Sequence, residues 1–377
     1  AISKERGWDV SAISLATTVF FLVGGISGVG IARLIARFDV RYVMVAGGML
    51  GGGMLGLLGQ VTQQWQLFVV YALYAAGWAG GGLVPVTSVV TRWYRRRRSV
   101  ALSITSTGLS VGGVVLTPLA KELLDSQGMR AGTPWLGVLY VLGTVPFAWF
   151  LVRPDPRPLG WEPDGERTVA GSAPRMTSGA EYSSAIRTRF FRAVTVGYVL
   201  ALGSQVGAIQ QLVKLTDERA GARSASFAIS AVAATSVVAR LIGGRVVTRF
   251  PLLRVTVWLS AVQAVSMVGI AFAGGAVALF AMIVVFGATI GNILMLQPLL
   301  IAERFGVRDY PRIFSRTQMV TVVGTAGGPL LLGLLRDHAG GYRASYLAAA
   351  ACSIVGAAVL ASGGAAEIDH DHVSMER

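Results

Sequence analysis

The run Trp93-Tyr94-Arg95-Arg96-Arg97-Arg98-Ser99-Val100-Ala101 decides how the chain is read, because four consecutive guanidiniums stand between two apolar stretches, 65–90 and 99–119. Taken alone, Arg95 to Arg98 would serve as a phosphate-binding patch. Between two stretches long enough to cross a ~30 Å hydrocarbon layer at 1.5 Å per residue, they read instead as an anchor at a membrane surface. The same apolar length recurs along the whole chain. Eleven stretches qualify: 10–36, 43–59, 65–90, 99–119, 135–152, 193–215, 224–247, 255–272, 276–300, 313–335 and 342–360. With 53% hydrophobic and 14% charged residues and a mean hydropathy of +0.61, the 377 residues describe an all-α polytopic membrane protein rather than a soluble enzyme or nucleic-acid binder.

Sorting the 33 basic residues by loop gives an orientation. Alternate loops, around 33–41, 92–98, 153–192, 245–254 and 304–316, hold 22 of them, against 9 on the opposite side. Short loops rich in Lys and Arg stay cytoplasmic, so the net charge of +14 is a topology signal, and no nucleic-acid partner is expected. This places Ala1 outside and the C-terminal tail in the cytoplasm. An odd span count and a first residue that is not Met lead to the expectation of one further span ahead of Ala1. The single cysteine, Cys352, excludes an internal disulfide, and three His (His338, His370, His372) are too few and too peripheral for a metal site, so neither metal nor cofactor is expected. Thirty of the basic residues are Arg, which with the abundant Ala, Gly and Val points to a high-GC bacterial genome and hence a bacterial inner membrane.

The segment 153–192, with Pro154, Pro156, Pro158, Pro163 and Pro174, reads as a polar linker between bundles at 1–152 and 193–362, followed by a tail at 363–377. A weak repeat crosses it. Arg33-Leu34-Ile35-Ala36-Arg37-Phe38 returns 212 residues later as Arg245-Val246-Val247-Thr248-Arg249-Phe250, both where a span leaves the membrane on the linker side, so the halves are parallel copies. Gly51-x-Gly53-x-x-Gly56 matches a dinucleotide fingerprint by letter, yet no strand precedes it. Gly48, Gly52 and Gly56 read instead as small-residue steps for close helix packing.

These motifs resemble the major facilitator superfamily and, within it, the branch of monocarboxylate porters and oxalate/formate antiporters. The superfamily's Gly-x-x-x-Asp-Arg-x-Gly-x-Arg loop is occupied by Ala32 to Arg41, with Ala36 in place of the Asp and Asp39 in place of the second Gly. Trp93, Tyr94, Arg96, Arg97, Arg98 and the closing Gly108 are similar to the branch signature, and Gly327-Gly328-Pro329, Gly333, Asp337 and Tyr342 to its eleventh span and following loop. The resemblance implies the major facilitator fold with eleven of twelve spans present, two helical bundles, and alternating access. It also implies a gate built from Arg33, Arg37, Arg245 and Arg249. Asp39, three residues beyond Ala36, is expected to replace the missing carboxylate if the helix extends that far.

Arg240 is the one charge deep in a stretch, and such a residue costs at least ~2.5 kcal/mol unless it faces a cavity or a partner. By resemblance it falls where the branch holds its substrate carboxylate, a task suited to a planar two-pronged cation. The competing reading is an Arg snorkelling to headgroups beside Arg245. Candidate companions are Ser236, one turn earlier, with Gln210, Asn292, Gln318 and Tyr74; Gln205, Gln211, Gln297, Tyr71 and Trp78 are further polar or aromatic positions, and Lys214 an outer gate or anchor. Gln210 and Gln211, about 100° apart on a helix, cannot both face inward. No Asp, Glu or His lies deep in any stretch, and one buried positive charge suits a monoanion. The implied function is secondary transport of a small organic monocarboxylate by a monomer in the bilayer, with a proton or counter-anion as possible partner. The alternatives are an exporter of hydrophobic drugs or metabolites, its cavity lined by Tyr74, Trp78 and Phe227, and an anion sensor that does not transport.

Overall fold

A computed structural model of the chain describes Trp8 and residues 10–165, 179–339 and 341–364. The position of Ala1, the central part of the linker and the tail histidines lie outside the described residues. Within them the chain is helical, with an isolated bridge between Gly179 and Gly306. The first half comprises α1 (Val10–Arg37), α2 (Val40–Leu57), α3 (Gln64–Gly81), α4 (Leu83–Trp93) and α5 (Arg98–Phe150). After the short α6 (Tyr182–Ala185), the second half comprises α7 (Arg189–Ala220), α8 (Ala222–Val246), α9 (Leu252–Phe272), α10 (Ala276–Phe305), α11 (Tyr310–His338) and α12 (Gly341–Ala361).

Ten helical stretches among the described residues are long and apolar enough to cross a membrane, one of them the 53 residues of α5. That helix is two crossings. Gly128 sits at φ 72°, ψ 169°, a conformation essentially restricted to glycine, and the chain reverses there. A Cβ placed on Gly132 would lie 3.5 Å from Leu124 Cα, whereas eight residues of continuous helix would separate them by about 12 Å. The eleven expected crossings are therefore present, with two corrections. The polar stretch 120–134 is not an open loop but the helical ends of a tight hairpin, because Lys121-Glu122-Leu123-Leu124 are good helix formers and a single glycine makes the turn. A second correction concerns 65–90, which breaks at Gly82 into α3 and α4. The run Gly80-Gly81-Gly82 weakens the helix, and Pro85 fits the first turn of the new one, where its missing N–H costs nothing.

Large apolar side chains such as Trp258, Phe150, Ile26 and Leu330 are more than half exposed, while Gln205, Gln263, Gln297 and Ser353 are buried, the distribution of a chain solvated by lipid. Glycines let the helices approach. A Cβ on Gly47 would stand 2.7 Å from Gly80 Cα, and one on Gly52 2.8 Å from the Gly137 carbonyl, so the fingerprint-like run is a packing surface against α3 and α5.

The halves meet through α1 against α11 and α5 against α8. The two copies of the repeat thus take matching places, each ending a helix that crosses to the opposite half. One apolar core joins Ala32, Ile35, Val84 and Leu102 of the first half with Leu296, Leu299, Ile313 and Phe314 of the second, all toward the end that carries the linker. Farther from the linker each half keeps its own core, around Leu212, Met267 and Phe286 in the second and around Ala16, Val61 and Leu67 in the first. The halves thus share a buried core at the linker end and keep separate cores farther from it.

The linker is partly folded, which its proline content hides. Trp93 Nε1 donates to the Arg153 carbonyl at 2.7 Å, and the Asp164 carboxylate accepts the backbone N–H groups of Arg95, Arg96 and Arg97. Asp155 pairs with Arg157, whose Nε donates at 2.9 Å. Burial pulls the Asp155 carboxyl up, but hydrogen bonds from Arg157 and its charge outweigh this and hold it below the usual carboxylate range. At the other end Ala180 N–H donates to Phe305 O at 2.8 Å, and Tyr182 N–H to Asp309 Oδ2 at 2.9 Å. Each described end of the linker is docked to its own half, and α7, capped by Thr188, starts at Arg189 inside the 153–192 segment.

Candidate functional site

Gly221, at φ 84°, starts α8, and the Ala- and Val-rich sequence carries the helix to Val246. Arg240 on this helix is 2% exposed and is the only charged residue among the buried described residues. Three features make room for its long side chain. Gly243 abuts Asn292, with no space for a Cβ. A Cβ on Gly244 would stand 2.6 Å from Ser103 Cβ, and one on Gly291 would meet Ser236 O and stand 3.1 Å from Arg240 Nε. The guanidinium therefore lies in a glycine-lined crossing of α5, α8 and α10.

Its hydrogen bonds run to neutral acceptors. Nε donates to Gly291 O at 3.0 Å, Nη1 to Ser106 O, and Nη2 to Ser236 Oγ at 3.3 Å. The Arg240 carbonyl accepts from Ser103 Oγ at 2.5 Å. No carboxylate pairs with it among the described residues. The snorkelling alternative is corrected here, because a side chain bonded on three sides within the helix crossing does not reach the interface.

The structure brings Arg240, Ser236 and Asn292 together. Asn292 Nδ2 donates to Ala239 O at 3.1 Å and Ala288 O at 3.0 Å, while its buried Oδ1 has no partner. Gln210 is exposed on α7 and Gln318 half-buried on α11, and neither hydrogen-bonds to this group. Tyr74 packs in an aromatic cluster of the first half, 5.3 Å from the Phe20 ring and 6.1 Å from that of Tyr140. It lines an apolar cavity of about 240 Å³ with Phe20, Phe21, Met54, Leu58 and Tyr71. Phe227 is 58% exposed on α8 and is absent from that lining. Gln205 and Gln211 are absent from that lining too. Gln205 donates to Gln263 at 2.7 Å, which donates to Ser353 at 3.1 Å, and Gln211 accepts from Ser345 at 2.7 Å, all buried inside the second half. Gln210 and Gln211 face different ways, as helical geometry requires. Gln297 donates to Thr321 at 3.0 Å.

Arg33, Arg37, Arg245 and Arg249 are exposed at the linker end. Asp39 does not share a helical face with residue 36, because α1 ends at Arg37. Asp39 instead caps α2, accepting Arg41 N–H at 2.9 Å and Arg41 Nη2 at 2.7 Å. Burial raises its carboxyl, but the bonds and charge of Arg41 prevail and hold it below the usual range. The substitute latch is therefore engaged within its own loop. In the signature, Arg96 and Arg97 are exposed, Trp93 seals against Arg153, Arg98 Nη2 donates to Thr91 O at 3.1 Å, and Gly108 is exposed with open space beside it. α10 runs on past residue 300 and takes Glu303 into the helix.

Ser103, Ser106 and Gly291 were not among the expected site residues. Two of the three act through backbone carbonyls, which no side-chain pattern announces. A signal existed in the spacing of Ser99, Ser103 and Ser106, four and three apart, which puts small polar groups on one helical face toward the glycines of α8.

The sequence profile of the Major Facilitator Superfamily matches residues 1–296. Bovine monocarboxylate transporter 13 is 26% identical over 333 residues, covering 87% of this chain and 75% of that protein. An MFS-type transporter of Gibberella moniliformis is 24% identical, covering 88% and 77%. Mouse monocarboxylate transporter 11 is 25% identical, covering 92% and 75%. Among solved structures, the transporter FucP in its outward conformation superposes with a TM-score of 0.71 at 17% identity, covering 95% of this chain and 91% of that one. The human organic anion transporter MFSD10 does so at 0.71 and 14%, covering 95% and 87%.

Proposed function

The chain belongs to the major facilitator superfamily and is a multi-pass membrane transporter, and we propose that its substrate is a small organic monocarboxylate held by Arg240. One observation carries this reading: a buried guanidinium bonded only to neutral acceptors, in a chain whose described residues supply no carboxylate to neutralise it. A buried unneutralised cation is costly, and an anionic substrate would remove that cost. A guanidinium stays charged and offers a carboxylate two parallel N–H groups. Ser236 and Asn292, whose orphan Oδ1 lies against Gly243, would line the rest of the site. The names of the monocarboxylate transporters that the chain resembles support the same class.

The basic loops orient the linker and the C-terminus toward the cytoplasm, which puts the core shared by the two halves at the cytoplasmic end. Movement would follow alternating access, in symport with a proton or in exchange for a second anion, by a monomer in the cell membrane. The relatives named above come from fungi and mammals and lend no support to a bacterial source.

The apolar cavity beside Tyr74, with its ring cluster, favours a second reading, export of a hydrophobic compound. Flux of radiolabelled pyruvate and lactate into proteoliposomes separates the two. Uptake that Arg240→Ala abolishes at unchanged expression and thermal stability upholds the monocarboxylate reading. Equal uptake by that variant, or none by the unaltered chain beside transport of a lipophilic dye, overturns it.

A further inference from the structure

Arg240 is tied to α5 at both its ends. Its backbone carbonyl accepts the Ser103 hydroxyl at 2.5 Å, and its guanidinium donates through Nη1 to the Ser106 carbonyl, less than one helical turn farther along α5. Ser103 is 1%, Ser106 8% and Arg240 2% exposed, so the ties lie out of reach of solvent. The remaining contacts of the guanidinium, Gly291 O and Ser236 Oγ, belong to the second half. One side chain therefore bridges the two halves, at the crossing where a Cβ on Gly244 would already meet Ser103.

We infer that the Ser106 carbonyl occupies the place that a substrate carboxylate takes on Arg240, so that anion binding releases α8 from α5, with Ser103 as the positioning residue that sets how readily release occurs. This rests on the monocarboxylate reading of the same site. Nη1 carries two hydrogens, and a carboxylate bound in two-pronged fashion across Nη1 and Nη2 competes with the Ser106 oxygen for the one that Ser106 accepts. The bond to the Ser106 carbonyl is already charge-assisted through its guanidinium donor, and a carboxylate adds a full charge on the acceptor and a second, parallel N–H bond, so the anion prevails. What then holds α5 to α8 at this point is the Ser103 hydroxyl. Ser103 touches the Arg240 backbone and not its guanidinium, and so acts on the anion only through the separation of the helices.

The test uses the full chain with Cys352→Ser, spin-labelled at Arg97→Cys and Arg249→Cys, which are exposed on opposite halves at the linker end. Pyruvate should lengthen the label-to-label distance in this background. Ser103→Ala should show the longer distance without pyruvate and bind pyruvate roughly three- to tenfold more tightly, the scale of one interhelical hydrogen bond in a membrane. Pyruvate binding at unchanged separation, or a Ser103→Ala variant with background distance and affinity, overturns the competition while leaving Arg240 as the anion contact. Absence of pyruvate binding overturns the substrate reading and the competition together. If Ser103→Ala does not fold, the pyruvate-dependent distance in the unsubstituted background decides.

Discussion

The carboxylate of Asp164 accepts the backbone N–H of Arg96 at 2.8 Å across 68 residues of sequence, together with those of Arg95 at 3.2 Å and Arg97 at 3.3 Å. These donors belong to the turn that leads into α5 and ends at its N-cap, Arg97, and the helix dipole adds to the attraction. Asp164 reaches them from a left-handed backbone conformation, φ 67°, inside Pro163-Asp164-Gly165. Replacing it by Ala should cost about 1 kcal/mol of local stability. Hydrogen exchange at Arg95 to Arg97 should then quicken about fivefold, with amides in α7 unaffected. Unchanged exchange would mean that the contact does not hold the linker.

Arg240→Lys should recover little of the activity that Arg240→Ala loses. One ammonium on a flexible stem cannot serve Gly291, Ser106 and a carboxylate in the fixed geometry of a guanidinium. Each lost hydrogen bond to a charged group is worth about 1.5–3 kcal/mol. Pyruvate uptake by the Lys variant should therefore fall roughly tenfold or more, measured at equal reconstituted protein.

Gly128→Ala should destabilise the first half by about 1–3 kcal/mol, because the reversal needs a backbone conformation that a Cβ disfavours. Thermal unfolding in detergent reads this as a lowered midpoint. Gly143→Ala is the control: a Cβ there meets nothing within 4 Å, and the midpoint should stay put.

Acid should loosen the docked linker. Asp155 has a folded-state pKa below its unfolded value, so its pairing with Arg157 contributes in full above the unfolded pKa, about 3.9, and is lost as pH falls through the folded value. Asp155→Asn should thus unfold at a lower temperature than the unaltered chain at pH 7. The two melting curves should converge as pH falls through the lowered folded-state pKa of Asp155. A difference that persists there would assign the effect to packing and not to charge.

Gln263→Leu should lower stability by about 1–3 kcal/mol by stranding the buried Gln205 amide and removing the donor that Ser204 and Ser353 accept, and leave the KM for pyruvate unchanged. A raised KM would bring this cluster into the transport path.

Eleven apolar stretches, the alternation of basic loops and the repeat at Arg33 and Arg245 are local or periodic properties, and the sequence by itself determined them, because a lipid solvent admits little but helices and each helix must span one thickness. Arg240 was legible for the same reason, since a lone charge at that depth must be accounted for. Its partners were not. Ser106 and Gly291 contribute carbonyl oxygens, which every residue has, and what distinguishes theirs is that α5, α8 and α10 cross at glycines close enough for one guanidinium to reach both. The sorting of the glutamines, with Gln205 and Gln211 inside the second half and Gln210 outside, likewise follows from how α7, α9 and α12 rotate about their axes as they pack. Asp39 and Asp164 make the same point from opposite sides: the acid that stood in the expected gate turned to its neighbour Arg41, and an acid in a proline-rich linker became the cap of a helix. Helix identity depends on the short-range balance of lipid, backbone and side chain, whereas contact between residues dozens of positions apart depends on helix crossings, and these only the tertiary structure decided.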